Sequence, residues 1–381
     1  MITESRRILL TGGRAPAVLH LARLLKAEGH RIFMAESLGQ HLCRFSTAVE
    51  KSYRVPEPRN DPEAYLDALV AIVRRHSIDL VIPACEEIFY VARGREAFPE
   101  GCRVLCDHPA LLEKLHDKDA FVRTLRAHGL DAPRTFRADS RAGLERLWAE
   151  APKGRYVLKP VFSRFGSEVR FLDVPADACP GVDIGPARPW VLQEFIAGRE
   201  FCSYSVANEG RLSAHCAYPR RYTAGHACVH FEAAEVPRIR AWVEEFVRRE
   251  NFTGQIAFDF IEAGDKLFAV ECNPRATSGL HLFEVRDGLG KAFFGESDRI
   301  IEPSTRGARM LALPMLMYGW RSPGWGRALG SSRDAIFDRR DPLPFLHQPA
   351  LVLTLWWRSR RHAMALAAAA TADIEWNGDG T

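Results

Sequence analysis

A chain of 381 residues with 47% hydrophobic and 26% charged residues has room for two or three domains and the composition of an ordinary soluble protein. Its net charge of +4 is small, and its basic clusters, Arg74-Arg75, Arg220-Arg221 and Arg358 to Arg361, are short and scattered, which argues against a nucleic-acid partner. Nine cysteines without a CxxC pair or zinc-finger spacing suit a reducing cytoplasm. The N-terminus lacks a signal-peptide core, and the longest apolar stretches, Met310 to Trp320 and Ala350 to Trp357, are too short to cross a bilayer. The expectation is a cytoplasmic protein with no membrane partner.

Residues 6–11 read as a strand, followed by Gly12-Gly13 and an amphipathic helix from about Ala15 to Glu28. The Gly-Gly-Arg-Ala-Pro turn lacks the GxGxxG spacing of a dinucleotide site, and glycine suits such a turn on geometry alone. Glu36, after a second strand at Arg31 to Ala35, resembles a ribose-reading acid. Asp61-Pro62-Glu63 starts a helix with a good N-cap. Strands Asp79 to Pro83 and Arg103 to Cys106 flank a helix near Ile88 to Ala97. Alternating strands and helices predict an open parallel α/β domain over residues 1–107.

From Pro109 the character is α+β. One long helix is expected through LLEKLHDKDAFVRTLRAHG, then a Ser140-capped helix, then antiparallel strands at Arg155 to Val161, Glu168 to Asp173, Pro189 to Phe195, Glu200 to Ala207 and Arg211 to Arg220. Beyond Glu302 the pattern weakens. An alanine-rich helix is expected at His362 to Ala372, in a packing extension or lid.

The most informative stretch is Phe258 to Arg275, FDFIEAGDKLFAVECNPR, which reads as a hairpin around Gly264-Asp265. A turn centred near Asp265 sets Asp259 opposite Glu271, while strand alternation puts Glu271 and Asn273 on one face and Cys272 on the other. Three side-chain oxygens on one face suit a hard divalent cation, or equally an exposed polar face on an edge hairpin. Lys159 shares the face of an apolar strand and must reach an anion or solvent, and Ser163-Arg164-Phe165-Gly166-Ser167 just beyond it can fold over phosphates.

The order Lys118, Lys159-Pro160, the Gly166 loop, Gln193-Glu194-Phe195-Ile196, Gly198, Glu200, Asp259 and Glu271-Cys272-Asn273-Pro274-Arg275 resembles an ATP-grasp enzyme over about residues 109–300. The preceding α/β domain resembles the pre-ATP-grasp domain of that family. The resemblance implies an ATP-grasp domain at 108–300, with nucleotide between two subdomains, and an extension at 301–381. It implies that Lys118 and Lys159 contact the ATP phosphates and that Ser163, Gly166 and Ser167 close over them. Gln193, Glu194 and Ile196 would line the adenine, Glu200 would hold the ribose, and Asp259, Glu271 and Asn273 would hold Mg²⁺ or Mn²⁺. Arg275, with Lys159, would face the transferring phosphoryl group. Gln193 stands where many members have an acid.

The implied reaction is ADP-forming ligation of a small carboxylate to an amine through an acyl phosphate, in a protein free to form a homodimer. Carbamoyl-phosphate-type chemistry, a kinase-like reaction and a non-catalytic ATP-binding regulator are the alternatives. For the acceptor site, Arg220 and Arg221 could fork a carboxylate, Thr277 and Ser278 follow Arg275, and His281 could take a proton from an amine. A solvated strand end and a structural histidine are the competing readings.

Overall fold

The computed structural model describes residues 5–163, 168–225, 227–304 and 307–378. Strands β1 (Arg7–Thr11), β2 (Arg31–Glu36), β3 (Lys51–Arg54), β4 (Leu80–Ile82) and β5 (Arg103–Val104) form a parallel sheet in the order β3-β2-β1-β4-β5. Its central strands are apolar on both faces because helices cover both: Ile8, Leu9 and Leu10 are fully buried. Those helices are α1 (Pro16–Ala27), α2 (Pro62–His76) and α3 (Ile88–Arg93). Asp61 caps α2 by accepting from the Ala64 amide at 3.0 Å. Strand order reverses between β1 and β4, so Thr11 and the residues after Ile82 border the crevice where open α/β sheets take ligands.

The long helix expected after Pro109 is two: α4 (Pro109–His116) and α5 (Lys118–Ala127). Asp117 leaves helical geometry, and its carboxylate accepts from the amides of Asp119 and Ala120, which ends one helix and caps the next. An antiparallel sheet then takes the order β6-β9-β7-β8, from β6 (Thr135–Ala138), β7 (Gly154–Pro160), β8 (Arg170–Val174) and β9 (Trp190–Glu194). Strand β6 has only four residues, too few to show a period in the sequence. Ser140 caps the intervening helix α6 (Arg141–Glu150) through the Gly143 amide. A second antiparallel sheet pairs β11 (Arg211–Pro219), β10 (Arg199–Asn208) and the hairpin strands Gly254–Ala263 and Lys266–Asn273, backed by α7 (Pro237–Arg249). Gly166 and Ser167 lie outside the described residues; Ser163 is half-buried three residues past the end of β7, the strand that carries Lys159.

The alanine-rich helix expected at His362 to Ala372 is displaced. The long C-terminal helix is Gln348–Arg361, and only Leu366–Ala369 is helical beyond it. After Arg361 the residue Ala363 takes a left-handed conformation (φ 51°), which breaks the helix before the alanines begin. The tail that follows packs on the N-terminal sheet. Trp376 is 2% exposed, stacked on Phe89 (4.6 Å) and edge-on to Phe162 (5.2 Å). Asp373 pairs with the buried Arg14 at 2.7 Å, and Arg14 pairs also with Glu36. Glu36 is therefore committed to Arg14 and to the amides of Arg14 and Leu38, and does not stand free to read a ribose. We expect Trp376→Ala to cost about 3–5 kcal/mol of stability in chemical denaturation; a loss below about 1 kcal/mol would show the tail to be dispensable to the fold.

Candidate functional site

The hairpin turns on Gly264-Asp265 with Ala263 opposite Lys266, so unbroken pairing would set Asp259 against Val270. A bulge next to Phe260 inserts Val270 as an extra residue and brings Asp259 opposite Glu271. Phe258 and Phe260 point to the other face, where Trp242 and Phe246 of α7 meet them with ring centroids 5.0–5.2 Å apart. Burying each phenylalanine is worth on the order of 1.5–3 kcal/mol, and this backing fixes which face carries Asp259.

Two lysines approach that face from the other side. Lys159 of β7 is 7% exposed, and its Nζ donates to Gln193 Oε1 at 2.9 Å, while the Gln193 amide donates to the Thr135 hydroxyl at 3.0 Å. Burial lowers the Lys159 ammonium to about 8, against the attraction of Glu271 and Asp259. Lys118, at the start of α5, is 2% exposed and donates to the Val161 carbonyl at 3.1 Å. Burial and then the charge of Glu271 push the Asp259 carboxyl up. Burial acts on Glu271 in the same sense, but Lys118 and Lys159 outweigh it and hold that carboxyl below its usual value.

Asn273 Nδ2 donates to Glu271 Oε1 at 3.5 Å, and Arg275 Nη2 donates to Asn273 Oδ1 at 3.1 Å. Arg275 Nη2 also lies 3.5 Å from Glu86 Oε1, just after β4 of the parallel sheet, and its Nε is buried without a partner. Lys118, Lys159, Asp259, Glu271, Asn273 and Arg275 thus form one cluster between the two antiparallel sheets. Among the described residues no group of three or more His, Cys, Asp or Glu could hold a metal ion. Here the donors are two carboxylates and one amide oxygen, a set that leaves positions for phosphate oxygens and water, as Mg²⁺ prefers. The raised Asp259 carboxyl marks an acid pair whose full ionisation calls for a nearby cation.

Residues 115–279 match the sequence model of the ATP-grasp domain. The chain carries an ATP-grasp domain. Among curated proteins it is similar to the large chain of carbamoyl phosphate synthase from Rubrobacter xylanophilus, 23% identical over 284 residues, which covers 68% of this chain and 25% of that protein. The chain therefore spans about a quarter of the length of that relative. Among solved structures it resembles N5-carboxyaminoimidazole synthetase from Staphylococcus aureus complexed with ADP (TM-score 0.62, 12% identity, 80% of each chain covered). It also resembles an L-amino acid ligase from Bacillus licheniformis (TM-score 0.55, 16% identity, 72% of this chain and 68% of that one). These likenesses extend beyond the ATP-grasp domain to most of the chain and show a shared fold.

Other expected residues fall around the ATP-grasp cluster or away from it. Glu194 carries an ion pair with Arg134 at 3.1 Å, which holds its carboxyl low. Ile196 is half-buried just past β9. Glu200 and Arg220 pair with each other across β10 and β11, and Arg220 also acts electrostatically on Asp259. Arg221 instead pairs with Glu232 at 2.7 Å on an exposed surface. Thr277 and Ser278 are half-buried after Arg275, and the Thr277 hydroxyl is buried without a partner. His281 is a correction: it is 1% exposed, stacked on Phe231 at 5.3 Å and beside His20, and burial holds it neutral far below its usual value. It is a core histidine with no path to a substrate amine.

Sequence reasoning missed three neighbours of the cluster, Glu86, His116 and Cys202, and Glu87 next to the first of them. Glu86, 3% exposed, receives Arg275 and the Trp376 amide. Glu87, 1% exposed, accepts from the Thr11 hydroxyl and the Cys85 amide. His116 adds charge interaction to Glu271, and the Cys202 thiol donates to Asp259. A sequence signal existed for Glu86 and Glu87: paired acids directly after a buried strand of a parallel sheet, where its crevice opens. We expect ¹³C-lysine NMR of the ligand-free protein to show Lys159 titrating near 8, and Glu271→Gln to lower that midpoint further, since a favourable charge is removed while burial stays. An unchanged midpoint would mean that Glu271 does not face Lys159.

Proposed function

We propose that this protein is an ADP-forming ligase that phosphorylates a small carboxylate with ATP and joins the acyl group to an amine or similar nucleophile. The observation that carries the reading is the cluster across the two sheets: Lys118 and Lys159 on one side, Asp259, Glu271 and Asn273 on the other, and Arg275 with an unpartnered Nε between them and Glu86. In this reading residues 1–107 are the pre-ATP-grasp domain, 108–300 the ATP-grasp domain and 301–381 an extension.

Lys118 and Lys159 would hold the ATP phosphates. The Lys159 ammonium is already oriented by Gln193, so little side-chain freedom is lost on binding. The Gln193 side chain is occupied by Lys159 and Thr135, which leaves the backbone of Gln193 to Ile196 to meet the adenine edge. Glu200, steered by Arg220, would accept from the ribose hydroxyls. Asp259, Glu271 and Asn273 fit Mg²⁺, or Mn²⁺, which when bound would neutralise charge on the phosphate oxygens.

A carboxylate oxygen of the substrate attacks the γ-phosphorus, the bond to the β-phosphate oxygen breaks, and ADP leaves. In this reading the Arg275 guanidinium would donate to a developing phosphoryl oxygen or to the substrate carboxylate, with Glu86 and Asn273 orienting it. The amine then attacks the acyl carbon, phosphate departs and the amine gives up a proton. The segment after Ser163 would exclude water from the acyl phosphate. The L-amino acid ligase relative supports ligation to an amine, and the ADP-bound synthetase supports nucleotide use at this fold.

The test is an ADP-release screen with pooled carboxylic acids and amines, followed by mass spectrometry of the products. Acceptor-dependent ADP release with a new amide product is expected; absent turnover despite Mg²⁺·ATP binding would favour a regulatory protein. Glu271→Ala is expected to lower turnover by roughly 10²–10³-fold with the fold intact, and wild-type turnover in that variant would sink the metal assignment. By calorimetry, Lys159→Ala should weaken ATP binding by about 1.5–3 kcal/mol, the worth of a charge-assisted hydrogen bond.

A further inference from the structure

The helix Gln348–Arg361 is turned inside out relative to an ordinary surface helix: none of its residues is fully buried, and its most exposed stripe is apolar. Its outward positions are Pro349, Val352, Leu353, Trp356 and Trp357, at helical spacing along three turns, followed on the same face by Arg360 and Arg361. Trp357 is 62% exposed and Leu353 55%. Arg358 on the inner side fastens the helix to the body through Glu57 and Asp373, both at 3.3 Å, so the apolar stripe is held outward by ion pairs beneath it.

A second segment repeats the pattern. In Ala312–Tyr318 and the turn after it, Leu313, Leu316, Met317 and Trp320 are exposed at the same spacing, with Trp320 57% exposed and Arg321 lying over its ring at 4.8 Å. Arg360 lies likewise over Trp356 at 5.4 Å. Both segments carry charge of one sign along the chain. Pro342 to Ala372 contains no Asp or Glu and includes Arg358, Arg360 and Arg361; Pro303 to Arg333 contains none and includes five arginines. Among the described residues Arg321, Arg360 and Arg361 have no carboxylate partner.

We infer that the outward stripe of Gln348–Arg361 docks onto an anionic phospholipid surface without crossing it. Exposed apolar area of this size needs a cover, and tryptophans next to unpaired arginines match the boundary between acyl chains and phosphates. Leucine, valine and the indole rings would enter the interface while the arginines reach the phosphates. A second copy of the chain is the poorer fit, because a self-contact lays Arg360 and Arg361 against the same arginines of its own kind, and the nearby Glu57 and Asp373 are already paired with Arg358. Among the described residues no helix is long and apolar enough to cross a membrane, in keeping with docking rather than spanning.

The test is co-sedimentation of the full chain with vesicles of phosphatidylcholine alone or mixed with phosphatidylglycerol, at low and high salt. Binding to the anionic vesicles alone, lost at high salt, is expected. Trp356→Ser/Trp357→Ser and Arg360→Glu/Arg361→Glu should each lower the bound fraction roughly tenfold, with melting temperature as the folding control. On the unaltered chain, brominated anionic lipid should quench tryptophan fluorescence, which needs no variant to fold. No binding to anionic vesicles, equal binding to neutral ones, or a dimer in light scattering that the tryptophan variants convert to monomer would each overturn the inference.

Discussion

Two carboxylates side by side in a largely buried setting are the constraint on which this structure turns. Asp259 and Glu271 face each other across one rung of a hairpin, and like charges so placed cannot both ionise unless cations stand close. The protein supplies Lys159 from the opposite sheet, Lys118 from the start of α5 and Arg275 from the end of the hairpin. The compensation is unequal, with Glu271 held ionised and Asp259 pushed toward its protonated form. That imbalance makes the cluster receptive to a divalent cation and to the phosphates such a cation accompanies.

The surrounding structure serves to hold this unfavourable arrangement. Behind the hairpin, Phe258 and Phe260 interlock with Trp242 and Phe246, so apolar burial there offsets polar crowding in front. In front, Gln193 ties Lys159 to Thr135, which keeps the ammonium aimed although burial weakens its charge. The N-terminal sheet adds Glu86 from the crevice at its order reversal, giving Arg275 a partner from a different sheet. The C-terminal tail locks that partner, since the Trp376 amide donates to the other Glu86 oxygen while Trp376 itself wedges between Phe89 and Phe162. One tail therefore touches both the acid that orients Arg275 and the residue preceding Ser163.

Much of this was legible because it rests on local signals. Strand and helix alternation marked the parallel sheet, Asp61 and Ser140 marked helix starts, and the Gly264-Asp265 turn marked the hairpin. The break at Asp117 was missed because aspartate in a helical pattern reads as an ordinary polar position until its side chain turns back to cap the next helix. The C-terminal helix was misplaced because alanine propensity is a weak prior, overridden by the ion pairs of Arg358 and the left-handed Ala363. His281 looked chemical only because its neighbours in sequence were; its neighbours in space are aromatic.

By itself the sequence determined which residue types could meet: the acids and the asparagine of the hairpin, the lysines upstream, the arginine after them, and their order along an ATP-grasp pattern. Those are properties of composition and spacing, and spacing sets local geometry. Tertiary structure alone decided the rest. The Val270 bulge aligns Asp259 with Glu271 although the turn falls half a residue from where that pairing needs it, and such bulges depend on packing across the sheet. Glu86, His116, Cys202 and Trp376 joined the hairpin cluster from positions far away in sequence, because burial and charge act through space and leave no period along the chain.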